Sequence, residues 1–114
     1  MTRGIAYLYV ETHSFGKAVA FWQRLGFVVD LDLGGSGRLI HPDGGAALFV
    51  EEVPETKSPE IQIYLDASTD AVRPERPAEI AQDWHDSHWG TRLLELRDPD
   101  ARTVVVQSGG YKAS

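Results

Sequence analysis

Residues 4–12 read GIAYLYVET, with Ile5, Tyr7 and Tyr9 at one parity and Ala6, Leu8 and Val10 at the other. Bulky side chains at both parities predict a strand buried on both faces. The period then changes. Phe15, Ala18, Val19, Trp22 and Leu25 recur three and four apart, Phe21 widens the stripe, Ser14 stands ready to cap and Gly26 to stop. That is an amphipathic helix, with Trp22 on its buried side. Strands are expected next at residues 27–33, 38–41 and 46–53, divided by the turns Gly34-Gly35-Ser36-Gly37 and Pro42-Asp43-Gly44-Gly45.

Beyond a polar connector at residues 54–59 the order begins again. Residues 61–66 alternate, Ile61, Ile63 and Leu65 against Gln62 and Tyr64. Residues 68–72 are placed to start a second helix, which Pro74 and Pro77 cut short. Strands are then expected at residues 78–82, 91–97 and 103–107. The run PAEIAQDWHD suits a short helix with Pro77 at its first position equally well, and it is the repeat that favours a strand. Each half thus spells strand-helix-strand-strand-strand, module one at residues 1–53 and module two at 60–108, in a single domain spanning 1–114.

At 114 residues the chain has room for one core, and 42% hydrophobic with 25% charged residues is the balance of an ordered globular protein. It has no cysteine, which excludes disulfides, thiolate metal sites and cysteine nucleophiles and fits a reducing compartment. Met-Thr-Arg-Gly leads into a strand-like run and no stretch is long enough to span a bilayer, so a soluble, cytoplasmic protein with no membrane partner is expected. A net charge of -6 works against nucleic acid as a partner and suits a cationic or neutral ligand. No G-x-S-x-G elbow or P-loop is present, and Gly34 to Gly37 lacks the lysine and following helix that phosphate binding requires.

The segments AVAFWQRLGF (residues 18–27), AALFVEE (46–52) and HWGTRLLELRDPD (88–100) resemble, in order and spacing, the glyoxalase/bleomycin-resistance/dioxygenase superfamily, also called vicinal oxygen chelate proteins. Among its branches the chain looks most like the bleomycin-resistance proteins. The resemblance implies an α+β fold of two βαβββ modules whose curved mixed sheet forms a cup, commonly in a homodimer. Two features depart from the family pattern. The second helix is truncated by RPERP, which would bare part of the second sheet's back face, and Ala101 stands where the family usually has glycine after Asp-Pro-Asp.

Enzymes of the superfamily chelate a divalent metal through inward side chains on the first and last strand of each module, which makes strand parity a test here. The corresponding places fall on Ile5 or Tyr7, near Ala47, near Glu60 with Gln62 next inward, and on Val105. One carboxylate in four places does not make a divalent site, so no metal, no cofactor and no catalytic residue is expected. His13 reads as a loop residue and His41 as a turn residue. His85 and His88 form an H-x-x-H in a segment expected to be a loop. Glu95 is the acid expected to face the cup, with Leu94 and Leu96 packing behind it; it suits a ligand cation, a metal, or a salt bridge to a neighbouring arginine.

Tyr7, Tyr9, Phe49, Gln62, Tyr64, Leu93 and Glu95 are expected on the concave face, an aromatic surface with a few polar handles. Trp84 and Trp89 are expected to flank a loop at the rim, and Trp89 matches the Trp-Gly tryptophan against which, by resemblance, drugs stack. The reading is a metal-free protein that sequesters a planar small molecule, antibiotic or metabolite, as a homodimer. A competing reading is a metal-dependent lyase, epimerase, dioxygenase or thiol transferase using Glu60, Glu95 and a histidine. A third is an interaction module whose cup is filled by its own side chains.

Overall fold

The computed structural model describes residues 1–76 and 79–109. Its elements are β1 (Thr2–Thr12), α1 (Phe15–Gln23), β2 (Val28–Asp32), β3 (Ser36–Ile40), β4 (Ala47–Glu52), β5 (Ile61–Ala67), β6 (Ile80–Asp86), β7 (Arg92–Arg97) and β8 (Thr103–Ser108). The chain divides into two compact units, one comprising Tyr7–Ile61 and the other Met1–Ala6 together with the chain from Gln62 on. No helix among the described residues is long and apolar enough to cross a membrane.

In the Tyr7–Ile61 unit the period change after β1 produces α1 at the expected place. Ser14 is extended and its Oγ accepts the Lys17 N–H at 3.4 Å, while Glu52 Oε1 accepts the Phe15 N–H at 2.9 Å. Two of the helix's free N–H groups are thereby satisfied. The helix stops where glycine permits a reversal: Gly26 has φ +97°, and a Cβ there would come within 2.7 Å of His41 Nε2. The strands run in the order β2-β3-β4-β1, with β1 parallel to β4 and the other pairs antiparallel. Leu8, Val10, Leu39, Leu48 and Val50 share one face and pack against Phe15, Ala18, Val19, Trp22 and Phe27. Trp22 is therefore core, and Leu39 and Val50 are fully removed from water, each worth roughly 2 kcal/mol of transfer free energy.

Two expectations shift here. Ser36 and Gly37 belong to β3 rather than to a turn, because β2 bulges between Val29 and Leu31 and a side chain at Gly37 would run into the Leu31 carbonyl. Strand β1 is not buried along both faces: Ile5 is exposed, and only Val10 and Glu11 are buried. Glu11 keeps its charge partnered, accepting from Lys57 Nζ and from the Glu60 N–H at 3.1 Å.

In the other unit the strands run β5-β8-β7-β6, with β5 parallel to β8 and both remaining pairs antiparallel. Ala67, Leu94 and Val106 form the buried centre of one face, joined by Leu65, Val72, Ile80, Trp84 and Leu96. Residues 68–76 form no helix; Val72 is what they place on this core. As the truncation implied, Ile63 on the same face is left 36% exposed.

The expected strand at residues 78–82 is corrected to Ile80–Asp86, and Pro77 and Ala78 lie outside the described residues. Strand β6 thus takes in Trp84, expected to flank a loop, and His85, expected to lie in one. Its pairing with β7 is irregular between Ile80 and Gln82 and between Gln82 and His85, so simple alternation does not hold along it.

Candidate functional site

Side chains that alternate with a packed face point to the opposite one. In the Tyr7–Ile61 unit this brings Tyr7, Tyr9 and Phe49 together away from α1, since Tyr9 pairs with Phe49 next to the inward pair Val10 and Val50. The Tyr9 and Phe49 rings lie 6.5 Å apart and 14° from parallel, and Tyr7 sits 6.3 Å from Phe49 at 51°. The Tyr9 hydroxyl donates to Glu51 Oε2 at 2.9 Å.

In the other unit the register places Tyr64 opposite Val105, which is also opposite Glu95, and places Gln107 opposite both Asp66 and Leu93. These residues, with Gln62 at the Tyr64 parity, share the face away from Leu94 and Val106. Leu94 and Leu96 pack behind Glu95. Asp66 on this face is paired with Arg3 at 2.7 Å, whereas Glu95 makes no ion pair among the described residues. Arg92 on the same strand is engaged instead by Asp86 and Asp70, which hold its guanidinium above its ordinary value.

Trp89 reaches this face from the turn after β6. Its indole Nε1–H donates to Gln107 Oε1 at 3.0 Å, and the residue remains 38% exposed, with the His88 ring edge-on to the indole at 4.8 Å. The turn is braced by Ser87, whose Oγ accepts the N–H groups of Trp89 and Thr91 at 3.3 and 3.0 Å and lies 2.8 Å from Thr91 Oγ1. Thr91 Oγ1 in turn donates to Gln107 Oε1 at 3.1 Å. Sequence reading missed Ser87, Thr91 and Gln107. The available signal was parity, because Gln107 stands two residues beyond Val105 and so on the same face.

Trp84 is not at a rim beside Trp89. It lies on the opposite face with Leu94 and Val106, and its Nε1–H donates to the Val72 carbonyl at 3.0 Å. The cause is that β6 runs on to Asp86, so Trp84 stands at the parity of the inward Ile80 and beside His85, which lies opposite Leu93. Beside it, hydrogen bonds from Arg73 and from the Trp84 N–H hold the Asp83 carboxyl below its ordinary value.

The histidines are dispersed. His13 Nε2 donates to the Lys57 carbonyl at 2.7 Å, His41 packs edge-on against Phe27, His85 Nδ1 lies 2.9 Å from the Asp83 carbonyl, and His88 borders Trp89. Among the described residues no three His, Asp or Glu side chains come together as a metal set. Of the places a chelating enzyme would use, Ile5, Ala47 and Val105 offer no donor atom, the alternatives Tyr7 and Gln62 offer only a phenol and a neutral amide, and Glu60 lies 3.8 Å from Lys57 Nζ, so these residues do not fit a divalent ion.

No protein-family model and no curated protein matches the sequence. Among solved structures, a glyoxalase/bleomycin resistance protein/dioxygenase superfamily member from Vibrio splendidus 12B01 is similar over 96% of this chain and 100% of its own, at 14% identity and TM-score 0.70. A bleomycin resistance determinant encoded on the transposon Tn5 aligns over 92% of this chain and 97% of its own, at 19% identity and TM-score 0.41. A glyoxalase/bleomycin resistance protein/dioxygenase from Nocardioides aligns over 96% and 87%, at 19% identity and TM-score 0.41. With the strand order and pairing described above, the likeness to the Vibrio splendidus protein assigns this chain the α+β fold of the glyoxalase/bleomycin resistance/dioxygenase superfamily.

Proposed function

We propose that the protein binds a flat, cationic or neutral small molecule, antibiotic or metabolite, by stacking it on Trp89 without using a metal. The observation that carries this reading is a tryptophan whose indole is fixed by its own N–H while the residue stays 38% exposed, on a face where Glu95 is left without an ion pair among the described residues. An immobilised aromatic face is a good stacking surface because little side-chain entropy is lost when a ligand lands on it. Tyr64, Leu93 and Gln62 line the same face and are assigned to ligand contact. The cluster of Tyr7, Tyr9 and Phe49 is a second aromatic surface given the same role.

The protein is further proposed to act as a cytoplasmic homodimer. A cysteine-free sequence suits that compartment, and strand β2, exposed along its whole length with Val28, Val29 and Leu31, offers an apolar edge for a second copy. The test is a thermal-shift screen with planar heteroaromatic antibiotics on wild type and Trp89→Ala, beside elemental analysis and native mass of protein purified without metal or chelator. A metal-free dimer whose ligand-induced rise in Tm disappears in Trp89→Ala supports the reading. A hit untouched by the substitution removes Trp89 from the site, and a stoichiometric divalent metal would make this an enzyme candidate instead.

A further inference from the structure

Gln107 is 6% exposed at the end of a run of three valines, a place where an amide is costly unless its hydrogen-bonding groups are used. Its oxygen is used twice, by Trp89 Nε1–H at 3.0 Å and by the Thr91 hydroxyl at 3.1 Å. Its nitrogen has no partner among the described residues, although no sealed side-chain nitrogen or oxygen among them is unsatisfied, so the NH₂ group is not wholly sealed from solvent.

The amide cannot simply turn over. An indole nitrogen is a donor only, so a flipped Gln107 would set NH₂ against N–H. The hydroxyl chain points the same way. Ser87 Oγ already accepts two backbone N–H groups, which directs its hydrogen to Thr91 Oγ1 and the Thr91 hydrogen to Gln107. Two independent donors therefore fix one oxygen, and the NH₂ is the group left over.

We infer that the Gln107 NH₂ is a specificity-determining donor beside the Trp89 ring, selecting flat heteroaromatic ligands that carry a hydrogen-bond acceptor, a ring nitrogen or carbonyl oxygen, at their edge. The inference rests on the stacking role given to Trp89 and adds to it the chemistry of the ligand. It also makes Gln107 the positioning residue for the indole.

The test uses two probes of matched shape, quinoxaline, which has ring nitrogens, and naphthalene, which has none. Binding is followed by the Trp89 indole N–H resonance in two-dimensional NMR, identified by its loss in Trp89→Phe. Wild type should prefer quinoxaline by roughly threefold to tenfold, the worth of one hydrogen bond. Gln107→Glu keeps an oxygen toward Trp89 and replaces the donor with a second acceptor, so the indole resonance should stay near its place while the preference vanishes or inverts. Gln107→Met, of similar length but without polar atoms, should lose the preference and also shift the indole resonance upfield; it serves if the buried carboxylate prevents folding. A preference that survives both substitutions, or equal binding of the two probes by wild type, overturns the role of Gln107 and leaves the stacking role of Trp89 standing. If neither probe moves the Trp89 resonance in wild type, both readings fall together.

Discussion

The Nε1–H of Trp89 and the side-chain oxygen of Gln107 meet at 3.0 Å, joining a turn residue to the second-last residue of β8. The contact stands the indole on the face that carries Tyr64 and Glu95. It also commits the buried amide's oxygen, which leaves the NH₂ as the group without a partner among the described residues. Trp84, five residues earlier, uses the same kind of bond for a different end, anchoring its indole to the Val72 carbonyl inside the core.

That contrast gives the first prediction. Trp84→Ala should cost about 3 kcal/mol of stability, because it empties a large ring from the Leu94 cluster and strands a backbone carbonyl. Trp89→Ala should cost about 1 kcal/mol, since its ring is partly in water and one hydrogen bond is lost. Urea midpoints for the two variants decide the matter. Comparable losses would mean that Trp89 is as structural as Trp84 and that the stacking role is misassigned.

Thr91 is 2% exposed and passes the Ser87 hydrogen bond on to Gln107. Thr91→Val keeps the shape and removes the hydroxyl, leaving Ser87 and Gln107 each one partner short. A loss of about 1–2 kcal/mol is expected from urea unfolding. The Trp89 indole N–H should also exchange faster with solvent as Gln107 loosens, and an unchanged exchange rate would show that the indole does not depend on the relay.

How far the sequence carried this picture depends on how local each signal was. The change of period at Ser14 and the stop at Gly26 are written in adjacent residues, so α1 was legible, as was the placing of Glu95 against Leu94 and Leu96. The position of Trp84 was not, because the strand was expected to end at residue 82, which left Trp84 beside a loop, whereas β6 continues to Asp86 and carries Trp84 at the parity of Ile80. Ser36 and Gly37 read as a turn because glycine signals turns, whereas here Gly37 is needed where β3 passes the Leu31 carbonyl. Gln107 was overlooked for a different reason. Its partners lie 16 and 18 residues away, and nothing in TVVVQ announces that the turn after β6 will bring an indole and a threonine to it.

The turn at residues 98–102 makes stability depend on acid. The Asp98 carboxyl is held below its ordinary value of 3.8, first by the Arg102 N–H and also by the Asp100 N–H and the Arg102 guanidinium, with bonds at 2.8, 2.9 and 3.2 Å. Because the folded-state value is depressed, the carboxylate's contribution is complete above 3.8 and is lost as pH falls through the lower folded value. Wild type should therefore lose Tm more steeply over that acid window than Asp98→Asn, whose side chain can still accept from the turn but does not titrate. Parallel Tm curves would show that this turn adds nothing to the acid sensitivity.

The same turn contains the one non-glycine residue at positive φ among those described, Ala101 at 64°. A Cβ in this left-handed region crowds its own carbonyl and costs roughly 1–2 kcal/mol, whereas glycine is free of that cost but gives up roughly 0.5–1 kcal/mol in added unfolded-state freedom. The position needs its conformation, because the Ala101 N–H closes the turn on the Asp98 carbonyl at 2.9 Å and lets the Asp98 N–H meet the Arg102 carbonyl at 3.0 Å. Ala101→Gly should then stabilise the protein by about 0.5–1 kcal/mol, a rise of roughly 2–6 °C in Tm for a domain of this size. Ala101→Val should do the opposite by more than about 1 kcal/mol, since a β-branched residue tolerates positive φ worst. A calorimetric scan of the three proteins in the order valine, alanine, glycine checks the argument. If glycine lowers Tm, the strain at Ala101 is smaller than the freedom that glycine restores to the unfolded chain, and alanine is the better residue for this hairpin.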